Sequence, residues 1–287
     1  MILVRQKILI ARFLNYFLRL WRALLGRDMG TICRRRGIMW QLDLNEGIDL
    51  SIYLLGAYEP RPLRSYTPLI GPGDVVLDIG ANIGAHTLHF ARLVGPTGQV
   101  HAFEPTDYAV AKLRRNLALN PELTLRVRVE QCFLGAESGA QAPAAVPASW
   151  PVGTWQDDLH WGHLGRNKTL GNARVMKADD YCAAVGLSRL RLVKIDVDGH
   201  EYDVLRGLRN TLRRFHPYVL IEIAPFIYEN LAEDDFAEFV RFLAALDYDF
   251  TDANNGRVIP SDPAQLCRLI PRGGGINALL KPRRTRS

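Results

Sequence analysis

The chain has 287 residues, of which 48% are hydrophobic and 23% charged, a balance that excludes collagen-like, disordered and disulfide-stapled classes and leaves a globular domain. Its formal charge of +6 is unevenly placed, because residues 1–36 carry nine Lys/Arg against one Asp, residues 268–287 carry six against none, and the centre is net acidic. A nucleic-acid groove across the main domain is therefore disfavoured, since phosphate binding needs the positive charge on the site itself.

The first predicted element is a helix within residues 1–30. Arg5, Lys7, Arg12, Arg19 and Arg22 interrupt its apolar residues, so it is too charged to span a bilayer and lacks the continuous apolar centre of a signal peptide. At 100° per residue Arg5, Arg12, Arg19 and Arg22 share one arc with Asn15, opposite a broad face with Ile10, Phe13, Leu14, Phe17 and Trp21. Such a basic amphipathic helix suits an anionic membrane surface, and equally suits packing on the chain's own domain or on a second subunit. Residues 31–70 then read as a lead-in to the main domain at 71–282, with a basic tail at 283–287.

From residue 75 the pattern alternates strand and helix. Strands are predicted at Val75–Ile79, Gln99–Phe103, Leu125–Phe133, Arg191–Asp196, Tyr218–Ile223, Tyr248–Thr251 and Ile276–Leu280. Helices are predicted at Ala85–Val94, Asp107–Leu119, Glu201–Phe215 and Leu231–Leu246. Residues 134–190 break the rhythm with Gly, Pro and Trp, as a substrate-loop insertion would. Trp150, Trp155 and Trp161, with His160 and His163, are candidates there either to stack on a substrate or to pin the loop. The whole is a mostly parallel, doubly wound α/β sheet of seven strands, whose ligands sit beyond the carboxyl ends of the strands. Cys33, Cys132, Cys182 and Cys267 are too scattered for a structural zinc site and point to a reducing compartment.

The turn after the first of these strands reads Asp78-Ile79-Gly80-Ala81-Asn82-Ile83-Gly84. Its glycines let backbone approach a ligand, but the G-x-G-x-x-G spacing of a dinucleotide site is absent. Asp78 would repel a pyrophosphate and can hold an amino group. Glu104, followed by Pro105 at the end of the second strand, is placed for two ribose hydroxyls. A cationic adenosyl ligand fits these residues better than a dinucleotide. Beyond the fourth strand, Asp196, Asp198 and His200 are proton acceptors, Glu201 opens the next helix, and Glu222 ends the adjacent strand. A structural role is available to some of them, with Glu201 capping its helix and Asp196 binding backbone N–H groups. Asp196 and Asp198 are also the pair that would ligate a divalent cation.

Three separated stretches, "GAYE", "PGDVVLDIGANIGAHTLHFARLVGPTGQVHAFEP" and "VKIDVDGHEYDVLRGL", occur in an order that resembles the FkbM family of S-adenosylmethionine-dependent methyltransferases, with similarity running from about residue 40 to 282. The resemblance implies a seven-stranded class I, Rossmann-like methyltransferase fold and O-methylation of a hydroxyl on a small molecule or glycan. It implies S-adenosylmethionine as cofactor, held at its methionine end by Asp78, Gly80, Ala81, Asn82 and Gly84, and at the ribose by Glu104 and Pro105. Where family members carry an acid for adenine in a pattern like A-L-S-D-x-x-G, this chain has Phe133 to Gly139, which puts Ala136 in the acid's place with Glu137 beside it. The expected catalytic set is Asp196, Asp198, His200, Glu201 and Glu222. Other classes open to the sequence are an NAD-dependent oxidoreductase or epimerase and a non-catalytic cofactor-binding protein. The expected location is cytoplasmic, with the first 25 residues meeting either the inner face of a membrane or a second copy of the chain.

Overall fold

The computed structural model describes residues 4–152, 166–171, 173–230 and 235–283. Its elements begin with helix α1 (Val4–Leu24), an antiparallel hairpin of β1 (Gly30–Arg35) and β2 (Ile38–Asp43), and helices α2 (Gly47–Leu55) and α3 (Pro60–Tyr66). Then follow β3 (Val75–Ile79), α4 (Thr87–Leu93), β4 (Gln99–Phe103), α5 (Asp107–Ala118), α6 (Pro121–Thr124), β5 (Val127–Glu130) and β6 (Cys132–Gly135). The insertion holds β7 (Ala145–Ser149), β8 (Arg166–Thr169), β9 (Arg174–Lys177) and α7 (Ala178–Ala184). The chain closes with β10 (Leu192–Ile195), α8 (Glu201–Gly207), α9 (Arg209–Phe215), β11 (Tyr218–Ile223), α10 (Asp235–Ala244), β12 (Tyr248–Asp252), α11 (Pro263–Leu269) and β13 (Ile276–Pro282).

Seven strands form the central sheet in the order β12-β13-β11-β10-β3-β4-β5. The pairs from β5 to β11 are parallel, and β13 runs antiparallel to both β11 and β12. The strands are apolar on both faces because helices cover both. Leu77, Ile79, Val193, Ile195, Val219 and Ile221 enter one core, while Val76, Val100, Ala102, Leu192 and Leu220 enter the other. Strand order reverses between β3 and β10, and that switch point leaves a crevice at the carboxyl ends of the strands.

Two of the predicted elements are broken. The third strand divides at Gln131, so β5 stays in the sheet while β6 leaves it to pair in parallel with β9. The helix expected over 201–215 divides at Leu208, whose backbone leaves the helical conformation at φ −109° and ψ 3°; Gly207 beside it lies against β6, where a Cβ would stand 2.1 Å from the Gly135 carbonyl oxygen. The start expected at Leu231 lies outside the described residues, as do Trp155, His160, Trp161 and His163.

The lead-in is fastened to the sheet's flank by Asn116 of α5 and by Asn120, which precedes α6. Asn116 Oδ1 accepts from the Gln41 N–H at 2.9 Å, and Asn120 accepts from the Met39 N–H at 2.9 Å while donating to its carbonyl at 2.7 Å. These side chains satisfy the edge of β2 as a neighbouring strand would. Helix α1 lies against the lead-in with its polar side inward. Buried Asn15 donates to the Leu44 carbonyl at 2.7 Å, and buried Arg22 donates to the carbonyls of Asp28 at 2.6 Å and Gly30 at 3.1 Å. The expectation that its main apolar face could pack on the chain's own domain is therefore corrected: Phe13 is 63% exposed and Trp21 53%. Hydrogen bonds to loop carbonyls, which a hydrophobic pattern does not register, decide the side that docks. No described helix is long and apolar enough to cross a membrane.

Candidate active site

A cleft of about 480 Å³ opens at the carboxyl ends of β3, β4, β10 and β11. Gly80, Ala81 and Asn82 form one part of its wall, Glu104 and Pro105 another, and Asp196, Asp198 and Glu222 a third. The parallel register of β3 with β4 and β10 brings these three turns together.

The glycine turn is shaped by its neighbours. Gly80 has φ +80°, and a Cβ there would stand 1.8 Å from the Asp196 carbonyl oxygen, so the β10 loop alone forbids a side chain. Asn82 takes the left-handed conformation at φ 46° and donates its N–H to Glu104 Oε2 at 3.0 Å. The other Glu104 oxygen accepts the Thr106 N–H at 3.0 Å and hydroxyl at 2.6 Å. These bonds fill three of the roughly four acceptor positions of a carboxylate, leaving capacity for a ligand hydroxyl. Burial raises the Glu104 pKa against these bonds.

Several of the sequence-predicted residues lie behind the wall. Asp78 is fully buried, accepting from the Thr87 hydroxyl at 2.6 Å and standing 3.7 Å from Lys194 Nζ. Gly84 packs α4 and α5 onto the sheet, since a Cβ there would meet Leu88 and Leu113 side-chain atoms at 2.6 Å. Ala136 and the exposed Glu137 lie past the lining residues Cys132, Phe133 and Leu134, because β6 has turned away from the sheet. Glu201 is directed into the loop before its helix, accepting backbone N–H groups of Val197 at 3.1 Å and Gly199 at 3.1 and 3.3 Å. Burial raises its pKa to about 7 against those bonds. His200 sits edge-on to Phe133, ring centres 5.1 Å apart, and does not line the cleft.

The acids that do face the cleft lie near enough to act on one another's charge. Asp198 has a left-handed backbone at φ 52°. Burial first, then the carboxylates of Asp196, Glu222 and Glu201, push its pKa well above the usual range. Lys194 Nζ lies 3.1 Å from Asp196 Oδ2. Burial pulls the ammonium down, but Asp196 and Asp78 outweigh it and hold Lys194 protonated. Among the described residues no group of three or more His, Cys, Asp or Glu is arranged to hold a metal ion.

Lys194, Tyr58 and Glu59, which fall in the resembling stretches without an expected role, and Asn277, which no motif marks, also line the cleft. Glu59 has φ 46° and accepts from Asn277 Nδ2 at 2.9 Å, which ties α3 to β13 across the whole chain. The "GAYE" stretch was the signal for Tyr58 and Glu59, and "VKIDVDGHEYDVLRGL" the signal for Lys194. Apolar side chains of α1 and α2, among them Ile10, Leu14, Leu54 and Leu55, complete the wall together with Trp150. Nothing in the periodicity of residues 1–25 connects that helix to the cleft.

The antiparallel last strand inserted between the fifth and sixth gives the sheet the class I, Rossmann-like methyltransferase fold, with a carboxylate-lined cleft in place of a pyrophosphate loop. A sequence model of the methyltransferase FkbM domain matches residues 78–250. The chain belongs to the FkbM methyltransferase family. It is 31% identical to 31-O-demethyl-FK506 methyltransferase FkbM of Streptomyces tacrolimicus over 162 residues, covering 48% of this chain and 61% of that protein. It is 28% identical to hexuronic acid methyltransferase AglP of Haloferax volcanii over 152 residues, covering 52% and 56% respectively. The solved structure of a methyltransferase FkbM from Methylobacillus flagellatus is 16% identical with a TM-score of 0.43, covering 76% of this chain and 50% of that one. The chain spans about three-fifths of the length of those two curated relatives.

Proposed function

We propose that the chain transfers a methyl group from S-adenosylmethionine to a hydroxyl of a small molecule or glycan. The observation that carries this reading is the meeting, in one cleft, of the Gly80–Asn82 turn, the buried Glu104 carboxylate and the Asp196, Asp198 and Glu222 acids. The residues fit an adenosyl cation. Glu104 would accept from the ribose, Phe103, Phe133 and Leu134 would flank the adenine, and the acids would face positive charge. When bound, the cofactor supplies an electrophilic methyl group on a positively charged sulfur.

The chain's own part is positioning and proton removal. Asp198 Oδ takes the proton of the acceptor hydroxyl, and its raised pKa makes it a stronger base than an ordinary carboxylate. Lys194 keeps Asp196 paired beside it, and Asn277 holds Glu59 at the far side of the cleft. The names of the relatives, which refer to FK506 and hexuronic acid, support a hydroxyl-bearing natural product or glycan as acceptor. A cytoplasmic setting, with α1 meeting a membrane or a second copy, belongs to the same reading. Titration calorimetry with S-adenosylmethionine and separately with NAD tests it: micromolar-range binding of the first alone is expected, and binding of NAD alone would overturn it.

A further inference from the structure

Helix α1 has two uses for its apolar residues. Ile10 and Leu14 are 52% and 43% exposed and also line the cleft. They join a cleft wall continued by Leu54 and Leu55 of α2, themselves 44% and 59% exposed. Outward from them run Leu9, Phe13, Tyr16, Phe17, Leu20 and Trp21, each at least 48% exposed. At 100° per residue this surface covers an arc of ~160°. One apolar surface thus extends from the outside of α1 into the cleft, which ends in Asp196, Asp198 and Glu222.

We infer that this surface lies on an anionic lipid bilayer and that the methyl acceptor is an amphiphile resident in that bilayer, with its hydroxyl-bearing head in the cleft and its apolar part along Ile10, Leu14, Leu54 and Leu55. The substrate class rests on the methyl-transfer reading. Charge favours lipid as the occupant. Arg12 and Arg19 flank one edge of the arc, Arg27, Arg34 and Arg36 are exposed beyond its end, and residues 1–36 carry one acid in all. Apolar faces with Phe, Tyr and Trp beside arginines are suited to the headgroup boundary. A second copy of the chain is disfavoured, because symmetric pairing would oppose two basic rims and cover Ile10 and Leu14 at the mouth of the cleft. The cleft itself divides in the same sense as an amphiphile, apolar at the α1 and α2 side and acidic at its end.

The test uses the full chain with vesicles of phosphatidylcholine, with and without phosphatidylglycerol, and a Phe17→Glu/Trp21→Glu variant, whose two positions are outside the cleft. Sedimentation with the anionic vesicles is expected, weakened at least ~10-fold in the variant and by high salt, with affinity for S-adenosylmethionine unchanged. Purified chain incubated with methyl-labelled S-adenosylmethionine and total membranes should place label in the chloroform–methanol extract. A wild-type chain that ignores both vesicles and is split from dimer to monomer by the variant would overturn the membrane contact and make the face a subunit interface. Label confined to water-soluble compounds would overturn the acceptor class. Vesicle binding without any affinity for S-adenosylmethionine would instead refute the methyl-transfer reading and leave the membrane contact standing.

Discussion

Replacing Glu104 separates a ligand contact from a structural one. Its carboxylate receives the N–H groups of Asn82 and Thr106 and the Thr106 hydroxyl, all within 3.0 Å. Glu104→Gln keeps the size but has a single amide oxygen, so its NH2 must face one of these donors; leaving a buried donor unsatisfied costs about 1–3 kcal/mol of stability. Glu104→Ala removes the acceptor altogether and, with it, the charge-assisted hydrogen bonds proposed to the ribose. Those are worth about 1.5–3 kcal/mol, a loss of roughly 10- to 150-fold in affinity. Titration calorimetry with S-adenosylmethionine, alongside urea denaturation, measures both effects. The expected result is a folded Glu104→Ala protein with that loss of affinity. An Ala variant that binds the cofactor as the wild type does would remove Glu104 from the cofactor site and show that it serves only to brace the turn.

Gly80→Ala should already prevent normal folding, because its Cβ would collide with the Asp196 carbonyl; a variant that melts within a degree of wild type would show that the turn relaxes freely. Lys194→Met should destabilise by about 3–5 kcal/mol, since it leaves the buried Asp78 and the Asp196 carboxylate without their shared cation, and a cost below about 1 kcal/mol would refute that pairing. Because Lys194 already supplies positive charge between those acids, methyl transfer should persist after EDTA treatment; loss restored by added divalent cation would contradict this. Burial first of all lowers the pKa of His89 to about 3 and of His101 to about 4. Both are neutral in the fold and titrate near 6.5 when unfolded, so their support is complete above about pH 6.5 and declines as pH falls toward 4 and below. Denaturation midpoints flat from pH 7 to 4.5 would refute it.

The sheet was legible because its strands are short, mostly apolar runs punctuated by Gly and Pro, and Val75–Ile79, Gln99–Phe103 and Tyr218–Ile223 fall where the pattern puts them. What was not legible depends on contacts between distant segments. The division at Gln131 arises because β6 pairs with β9, more than forty residues later, and it carries Ala136 and Glu137 away from the cleft. Asp78 and Asp196 look alike as acids at strand ends, yet Thr87 and Lys194 enclose the first while the second opens to the cleft. Glu201 illustrates the same ambiguity, its carboxylate being taken by the Val197 and Gly199 N–H groups. The amphipathic pattern of α1 was plain, but its orientation was set by Asn15 and Arg22 reaching carbonyls of the lead-in.

The proton-removing role proposed for Asp198 is tested most directly by the rate of methyl transfer in Asp198→Asn, measured with methyl-labelled S-adenosylmethionine and membrane extract beside a calorimetric affinity for the cofactor. Loss of the base should slow transfer at least ~100-fold while cofactor affinity changes little. In the wild type, the rate should rise with pH through a value above the ordinary carboxylate range, because burial and the acids around Asp198 raise its pKa. An Asp198→Asn protein that transfers methyl groups at the wild-type rate, with an unchanged pH profile, would contradict the assignment.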